Sequence, residues 1–250
     1  MINENLSVPT ELESRDPIAL YMAKWFDEPF QADMLSRQTH KEYYMTTQQQ
    51  DRNVHADLYY IENNQQIFID AKVVTRNFEF IDESTNKTTY IDAIAIGQYA
   101  LSSKVDFFSF VWRSNLYVVP HASLQTITPS RVKVSDGQNG HKQILYHYNV
   151  QTLASHPSAK TYQISKDFMS VYDEAYSCYE RARAMVYDMS VPMNSQHSHT
   201  LRQRTLNTFA EELKPIIARY NNLSSAPVYV ELPPVNDYQK DLSNILSSIL

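Results

Sequence analysis

The sequence predicts a mixed α/β core, a sheet flanked by helices, over residues 1–165, followed by a mainly helical region over residues 166–250. Three observations predict it. Segments rich in Val, Ile, Tyr and Phe, either alternating or apolar throughout, crowd residues 54–150 in the manner of strands. Helix-compatible stretches precede and interrupt them. After about Ser165 the pattern changes to two long segments with one apolar face at helical spacing. An apolar fraction of 43% supplies a core, and 20% charged residues are too few for a disordered chain.

Asp16-Pro17 reads as a helix start, Asp as the cap and Pro at the first helical position, with a helix from Pro17 to about Asp27. Pro29 interrupts it, and a second helix is expected over Gln31–Gln49. Two strands fill 54–74, and a short strand follows at Phe78–Ile81. A helix is expected over Ile91–Ser103, then strands at Val105–Trp112 and Leu116–Val119 joined at Arg113-Ser114-Asn115. Arg131–Val150 reads as a hairpin turning at Asp136-Gly137-Gln138-Asn139-Gly140. The helical region comprises Lys166–Met189 and His199–Tyr220, a short strand at Val228–Glu231 and a last helix at Asp237–Leu250.

Composition excludes several function classes. With 3 Gly there is no GxGxxG or GxxxxGK[ST] loop, so nucleotide-binding folds of that type drop out. One cysteine, Cys178, builds neither a disulfide framework nor a thiolate zinc site, and reads as a helix-packing residue. No GxSxG, HExxH or paired-His motif is present. Met1–Leu12 lacks the basic end and apolar stretch of a signal peptide, and no run approaches about 18 apolar residues. A soluble, cytoplasmic protein with no membrane partner is expected. The net charge of −6 argues against coating nucleic acid by bulk electrostatics, but it leaves room for local basic patches and an acidic centre.

The informative stretch runs from His55 to Lys72. In the second strand Ile67, Ile69, Ala71 and Val73 share one face, while Phe68, Asp70, Lys72 and Val74 share the other. Two charged side chains thus sit in a strand otherwise apolar on both faces, which is costly unless they are paired. A two-residue turn at Asn63-Asn64 pairs Glu62 with Gln65 and, counting back, sets Asp57 opposite Asp70 and His55 opposite Lys72. A turn at Asn64-Gln65 pairs Asp57 with Lys72 instead. Either register leaves Asp57, Asp70 and Lys72 on one face. Opposed carboxylates repel; a proton or Lys72 alone could offset that repulsion, and Mg²⁺ or Mn²⁺ with oxygen ligands is the economical answer.

This pattern, Asp57, twelve residues, then Asp70-Ala71-Lys72 on adjacent strands, resembles the PD-(D/E)XK nuclease superfamily over roughly residues 31–120, although Ala56 stands where the family usually has Pro. The resemblance implies a restriction-endonuclease-like fold and divalent-metal-dependent phosphodiester hydrolysis. It implies an endonuclease acting on DNA rather than RNA. Asp57 and Asp70 would bind one or two ions, the Ala71 carbonyl would complete the coordination, and Lys72 would orient or deprotonate the attacking water. Members of this family add an acid from the preceding helix, for which Glu42 is the candidate and His40 its rival. One branch carries a Gln on the next helix, for which Gln98 is the candidate, though the spacing differs.

Competing readings attach to each residue. Asp57, Asp70 and Lys72 could form an incidental cross-strand salt bridge on a solvated sheet face, but the apolar run Ile67–Val74 argues for burial. Glu42 could be an exposed helix residue, and His55 a structural neighbour. Arg181 and Arg183, with Arg202 and Arg204, form short basic clusters that would either contact a phosphate backbone or simply solvate a helix face. The 18 tyrosines would stack on unpaired bases or pack the core. A homodimer would supply two sites for cutting both strands of a duplex. The alternative function is a non-catalytic binding or assembly protein on a nuclease-like fold.

Overall fold

The structure, a computed structural model, describes residues 17–47, 54–82, 87–136, 142–186 and 196–224. The described residues begin with helix α1 (Pro17–Met22), a π-helical segment (Ala23–Asp27) and α2 (Glu28–Thr39) in direct succession. Pro29 does not break this run. Proline lacks an N–H and its ring crowds the carbonyl four residues back. The preceding turn is widened, the Glu28 N–H bonding to the Ala23 carbonyl five residues back, and α2 starts around the proline. The expected helix to Gln49 stops at Thr39. There His40 turns left-handed (φ 56°) and its N–H returns to the Ser36 carbonyl at 2.9 Å. Tyr44–Met45 (β1) then pairs with the next strand.

Strands β2 (Leu58–Glu62) and β3 (Gln65–Lys72) form the predicted hairpin. Asn63 (φ 52°) and Asn64 (φ 62°) make its turn, and both supply the left-handed backbone that a two-residue hairpin turn demands. Glu62 pairs with Gln65 and Leu58 with Ile69. The chain next crosses into a second sheet through β4 (Thr75–Asp82) and β5 (Lys87–Gly97), followed by a short helix α3 (Gln98–Leu101). The helix expected over Ile91–Ser103 is therefore mostly strand. Thr88, Thr89, Tyr90, Ile91, Ile94 and Ile96 are β-branched or aromatic and suit a pleated surface better than a helix.

The chain returns in β6 (Phe107–Trp112), parallel to β3, and β7 (Asn115–Pro120), joined by a turn in which Arg113 has φ 54°. Then come α4 (His121–Leu124), β8 (Arg131–Asp136), β9 (Lys142–Asn149), α5 (Val150–Ala154) and β10 (Lys160–Gln163). The helices α6 (Lys166–Val186) and α7 (Gln196–Leu223) complete the described chain. The first sheet is ordered β1-β2-β3-β6-β7-β10 and the second β4-β5-β9-β8. The expected strand Val228–Glu231, the last helix Asp237–Leu250 and the 137–140 turn lie outside the described residues.

The layers follow from which faces are apolar. One face of the first sheet (Ile69, Ala71, Val111, Leu116, Val118) packs on α1, α2, α6 and α7. The other (Phe108, Phe110, Trp112, Val119) packs with Ile94, Ile96 and Tyr148 of the second sheet. Residues on both sides of 165 share the helical core. Phe30 meets Tyr172 at 4.9 Å and Tyr220 at 5.5 Å between ring centroids. Nine tyrosines among the described residues are buried in these layers, as large apolar rings whose hydroxyl can still find a polar partner. Phe30 is fully buried, and Phe30→Ala is expected to cost about 3–5 kcal/mol, read as a lowered urea midpoint. A midpoint unchanged from wild type would contradict this packing. Among the described residues, no helix is long and apolar enough to cross a membrane.

Candidate metal and phosphodiester site

Alternation along β3 puts Asp70 and Lys72 on the face shared with Phe68, just before the chain leaves the first sheet for the second. Asp57 precedes β2, and its N–H extends the hairpin by donating to the Ile69 carbonyl at 3.0 Å. Its side chain turns onto the same strand. Asp57 Oδ2 accepts from the Ala71 N–H at 3.0 Å, which places the carboxylate beside the Asp70-Ala71-Lys72 triplet. Asp70 Oδ1 pairs with Lys72 Nζ. Asp70 is 2% exposed, and its other oxygen, Oδ2, is buried with no hydrogen-bond partner. The three residues predicted to meet do meet, in the Asn63-Asn64 register.

The helix supplies what the hairpin lacks. Lys24, Asp27, Glu28 and Gln31 follow i, i+3, i+4, i+7 spacing and so line one face of the α1–α2 run. Lys24 Nζ reaches Asp57 Oδ1 at 2.9 Å and Glu28 Oε1 at 3.0 Å. Gln31 lies fully buried behind them. Its Nε2 donates to Asp27 Oδ2 at 2.6 Å and, at 3.5 Å, to the Lys72 carbonyl. Its Oε1 accepts from Ser109 of β6 at 2.7 Å. Tyr172 of α6 donates to Asp27 Oδ1 at 2.6 Å, and Tyr176 donates to the Val74 carbonyl at 2.5 Å. Helix α6 thereby clamps both the acidic helix face and the crossover strand.

These contacts set the protonation states. Burial pushes the Asp57 carboxyl up, but Lys24 and Lys72 outweigh it and hold it near a pKa of about 2. Burial carries Asp70 well above the ordinary carboxylate range, opposed by Lys72 and reinforced by the Asp57 charge and by a side-chain hydrogen bond with Asp57, so that a proton bridges the two carboxyls when no cation does. Lys72 is pushed down by burial but raised more by Asp70 and Asp57, so it stays an ammonium. Asp27, fully buried, is driven up to about 7 by burial, against the Tyr172 and Gln31 hydrogen bonds.

A carboxyl raised in the fold from 3.8 towards 7 costs stability once ionised. The cost is absent below the unfolded value, grows as pH rises between the two, and is complete above the folded value. Asp27→Asn is therefore expected to gain stability over wild type between about pH 4 and about pH 8, by a few kcal/mol at roughly 1.4 per pKa unit. Urea unfolding in EDTA at both pH values measures it. A difference that does not change with pH would contradict the assignment.

Not every predicted residue joins the site. Glu42 lies beyond α2, because that helix ends at Thr39; it is exposed and accepts from its neighbour Tyr44 at 2.5 Å. His40 caps the far end of α2, twelve residues from Glu28 and so about 18 Å along the helix. His55 has φ 56° and precedes β2, whose ladder starts at Leu58, so it does not stand opposite Lys72. Gln98 is exposed on α3, which packs on β5 and β9 of the second sheet. Arg181 ties α6 to α7 by pairing with Glu212 at 2.8 Å, Arg183 is half-buried on α6, and Arg204 is exposed on α7. The Arg202 side chain lies outside the described residues. Cys178 is buried in α6, as expected of a packing residue.

Missed from the sequence were Lys24, Glu28 and Gln31. Their shared helical face was a readable signal, hidden by the expectation that Pro29 ends the helix.

The residues fit a hard cation. With Lys24 and Lys72 drawn in between the carboxylates, no three His, Cys, Asp or Glu side chains among the described residues converge in metal-holding geometry. Yet a buried carboxylate oxygen without a geometric hydrogen-bond partner, beside the half-buried Asp57 carboxylate, is the kind of oxygen donor Mg²⁺ and Mn²⁺ prefer. No protein-family model, curated protein or solved structure matches the chain.

Proposed function

We propose that the chain is a divalent-metal-dependent nuclease hydrolysing phosphodiester bonds, an endonuclease acting on DNA in preference to RNA. The observation that carries the reading is Asp70 Oδ2, a buried carboxylate oxygen with no partner, next to Asp57 and within reach of Lys72. Asp57 and Asp70 would hold Mg²⁺ or Mn²⁺, with the Ala71 carbonyl as a further oxygen; Glu28, rather than Glu42, is the acid the helix brings to the centre, where it pairs with Lys24. Such an ion polarises a phosphodiester and makes hydroxide available near neutral pH.

The chain's own groups do the rest. Lys72, kept charged by its acidic neighbours, steadies the negative charge that develops on the phosphoryl oxygens. Gln31, anchored by Ser109 and Asp27, fixes the Lys72 carbonyl and hence the end of β3.

The test is a substrate panel: supercoiled plasmid, linear duplex, single-stranded DNA and RNA, each with Mg²⁺, Mn²⁺ or EDTA. Cutting of DNA that needs the metal supports the reading, and cutting of the closed circle supports an endonuclease. No cutting on any substrate, by a folded protein that fails to bind Mn²⁺, would replace it with the non-catalytic binding reading.

A further inference from the structure

We infer that Lys24 occupies the position of a second divalent ion, so that the centre holds one metal ion and not two. The inference rests on the metal-centre reading above and goes further, because it assigns the cation content of the site to a side chain of the protein.

The geometry is that of a bridging cation. Lys24 Nζ lies 2.9 Å from Asp57 Oδ1, and 3.0 Å and 3.1 Å from the two Glu28 oxygens. One carboxylate comes from the strand hairpin and the other from the helix, so the ammonium joins the two halves of the centre. Asp57 faces two ways: Oδ1 towards Lys24, and Oδ2 towards the β3 backbone beside Asp70. The Asp70 side has the oxygen without a partner, while the Glu28 side is already neutralised.

Placement on the helix keeps the ammonium there. Lys24 lies in the π-helical segment one turn before Glu28, the i, i+4 spacing that lets the two side chains meet. Its neighbour Phe26 is fully buried and fixes that turn against the core. A divalent ion between Asp57 and Glu28 would have to expel Lys24 or sit against it, and like charges at such separation repel strongly in a buried site. The Lys24 side chain is 25% exposed, so removing its charge would open a solvent-connected position between two carboxylates.

Counting bound Mn²⁺ per chain, by electron paramagnetic resonance of the unbound ion and by titration calorimetry, tests this without reference to cleavage. Wild type is expected to bind one ion, and Lys24→Ala two. Lys24→Gln, which keeps the side-chain length without the charge, is the second variant should Lys24→Ala not fold, and is also expected to bind two. Adding Glu28→Gln to either should return the count to one. Two ions in wild type, or one in both Lys24 variants, would overturn the inference while leaving the metal centre standing. No ion in wild type and none in the variants would overturn the metal-centre reading itself.

Discussion

Asp70→Ala is expected to lower the cleavage rate by about 10³-fold or more and to abolish tight Mn²⁺ binding, while the protein remains folded. The expectation follows from the cost of the wild-type arrangement. Asp70 is buried beside the Asp57 carboxylate, a pairing that needs a proton or a cation between the two groups. For folding alone, alanine at this position removes one partner of the Asp70–Lys72 pair and leaves the ammonium to Asp57, so some stability should be lost; Asp70→Asn, which keeps the side-chain volume, is the second variant should alanine not fold. Lys72→Ala should lower cleavage by about 10²–10³-fold with much less effect on Mn²⁺ affinity, because Lys72 acts on the phosphoryl oxygens and not on the ion. Single-turnover rates and titration calorimetry on the two variants separate these outcomes. If both variants cut as fast as wild type, the centre lies elsewhere.

The second large effect concerns the helix acid. Glu28→Gln should lower cleavage by about 10- to 100-fold, because Glu28 is almost fully buried and shares Lys24 with Asp57. Glutamine keeps the shape and one acceptor oxygen but removes the charge that holds Lys24 in place. Glu42→Ala should leave the rate at the wild-type level, since Glu42 is exposed and engaged with Tyr44 outside the helix. The opposite ranking, with Glu42 essential and Glu28 dispensable, would mean that the loop after α2 folds over the centre.

The contrast between Glu28 and Glu42 also shows where sequence reasoning is strong. The β2–β3 hairpin was legible because two local rules agree: alternation assigns faces, and Asn63-Asn64 accepts the left-handed backbone of a two-residue turn. Together they put Asp57 opposite either Asp70 or Lys72, on their face of the sheet in both cases. The helix was misjudged because Pro29 is normally incompatible with a helix interior, and a widened turn that admits it depends on how the segment packs. A helix beginning at Gln31 leaves Glu42 as its acid, whereas α2 begins at Glu28 and ends before Glu42. Strand β5 was misjudged because Ala93 and Ala95 favour a helix while their place between β4 and β9 is set by partners distant in sequence. His55 was misplaced by extending a ladder past its last pair. Ser109 carries no local signal at all, since its role depends on β6 lying parallel to β3.

On the proposed reading, Asp57, Asp70 and Lys72 form a metal-dependent centre for phosphodiester cleavage. The most direct measurement is cleavage of supercoiled plasmid and linear duplex in Mn²⁺ by wild type and Asp70→Ala, purified in parallel and both shown to be folded. Cutting by wild type that EDTA stops and that the variant lacks is the predicted result. Equal cutting by both proteins, or none by a folded wild type that binds no Mn²⁺, would contradict it.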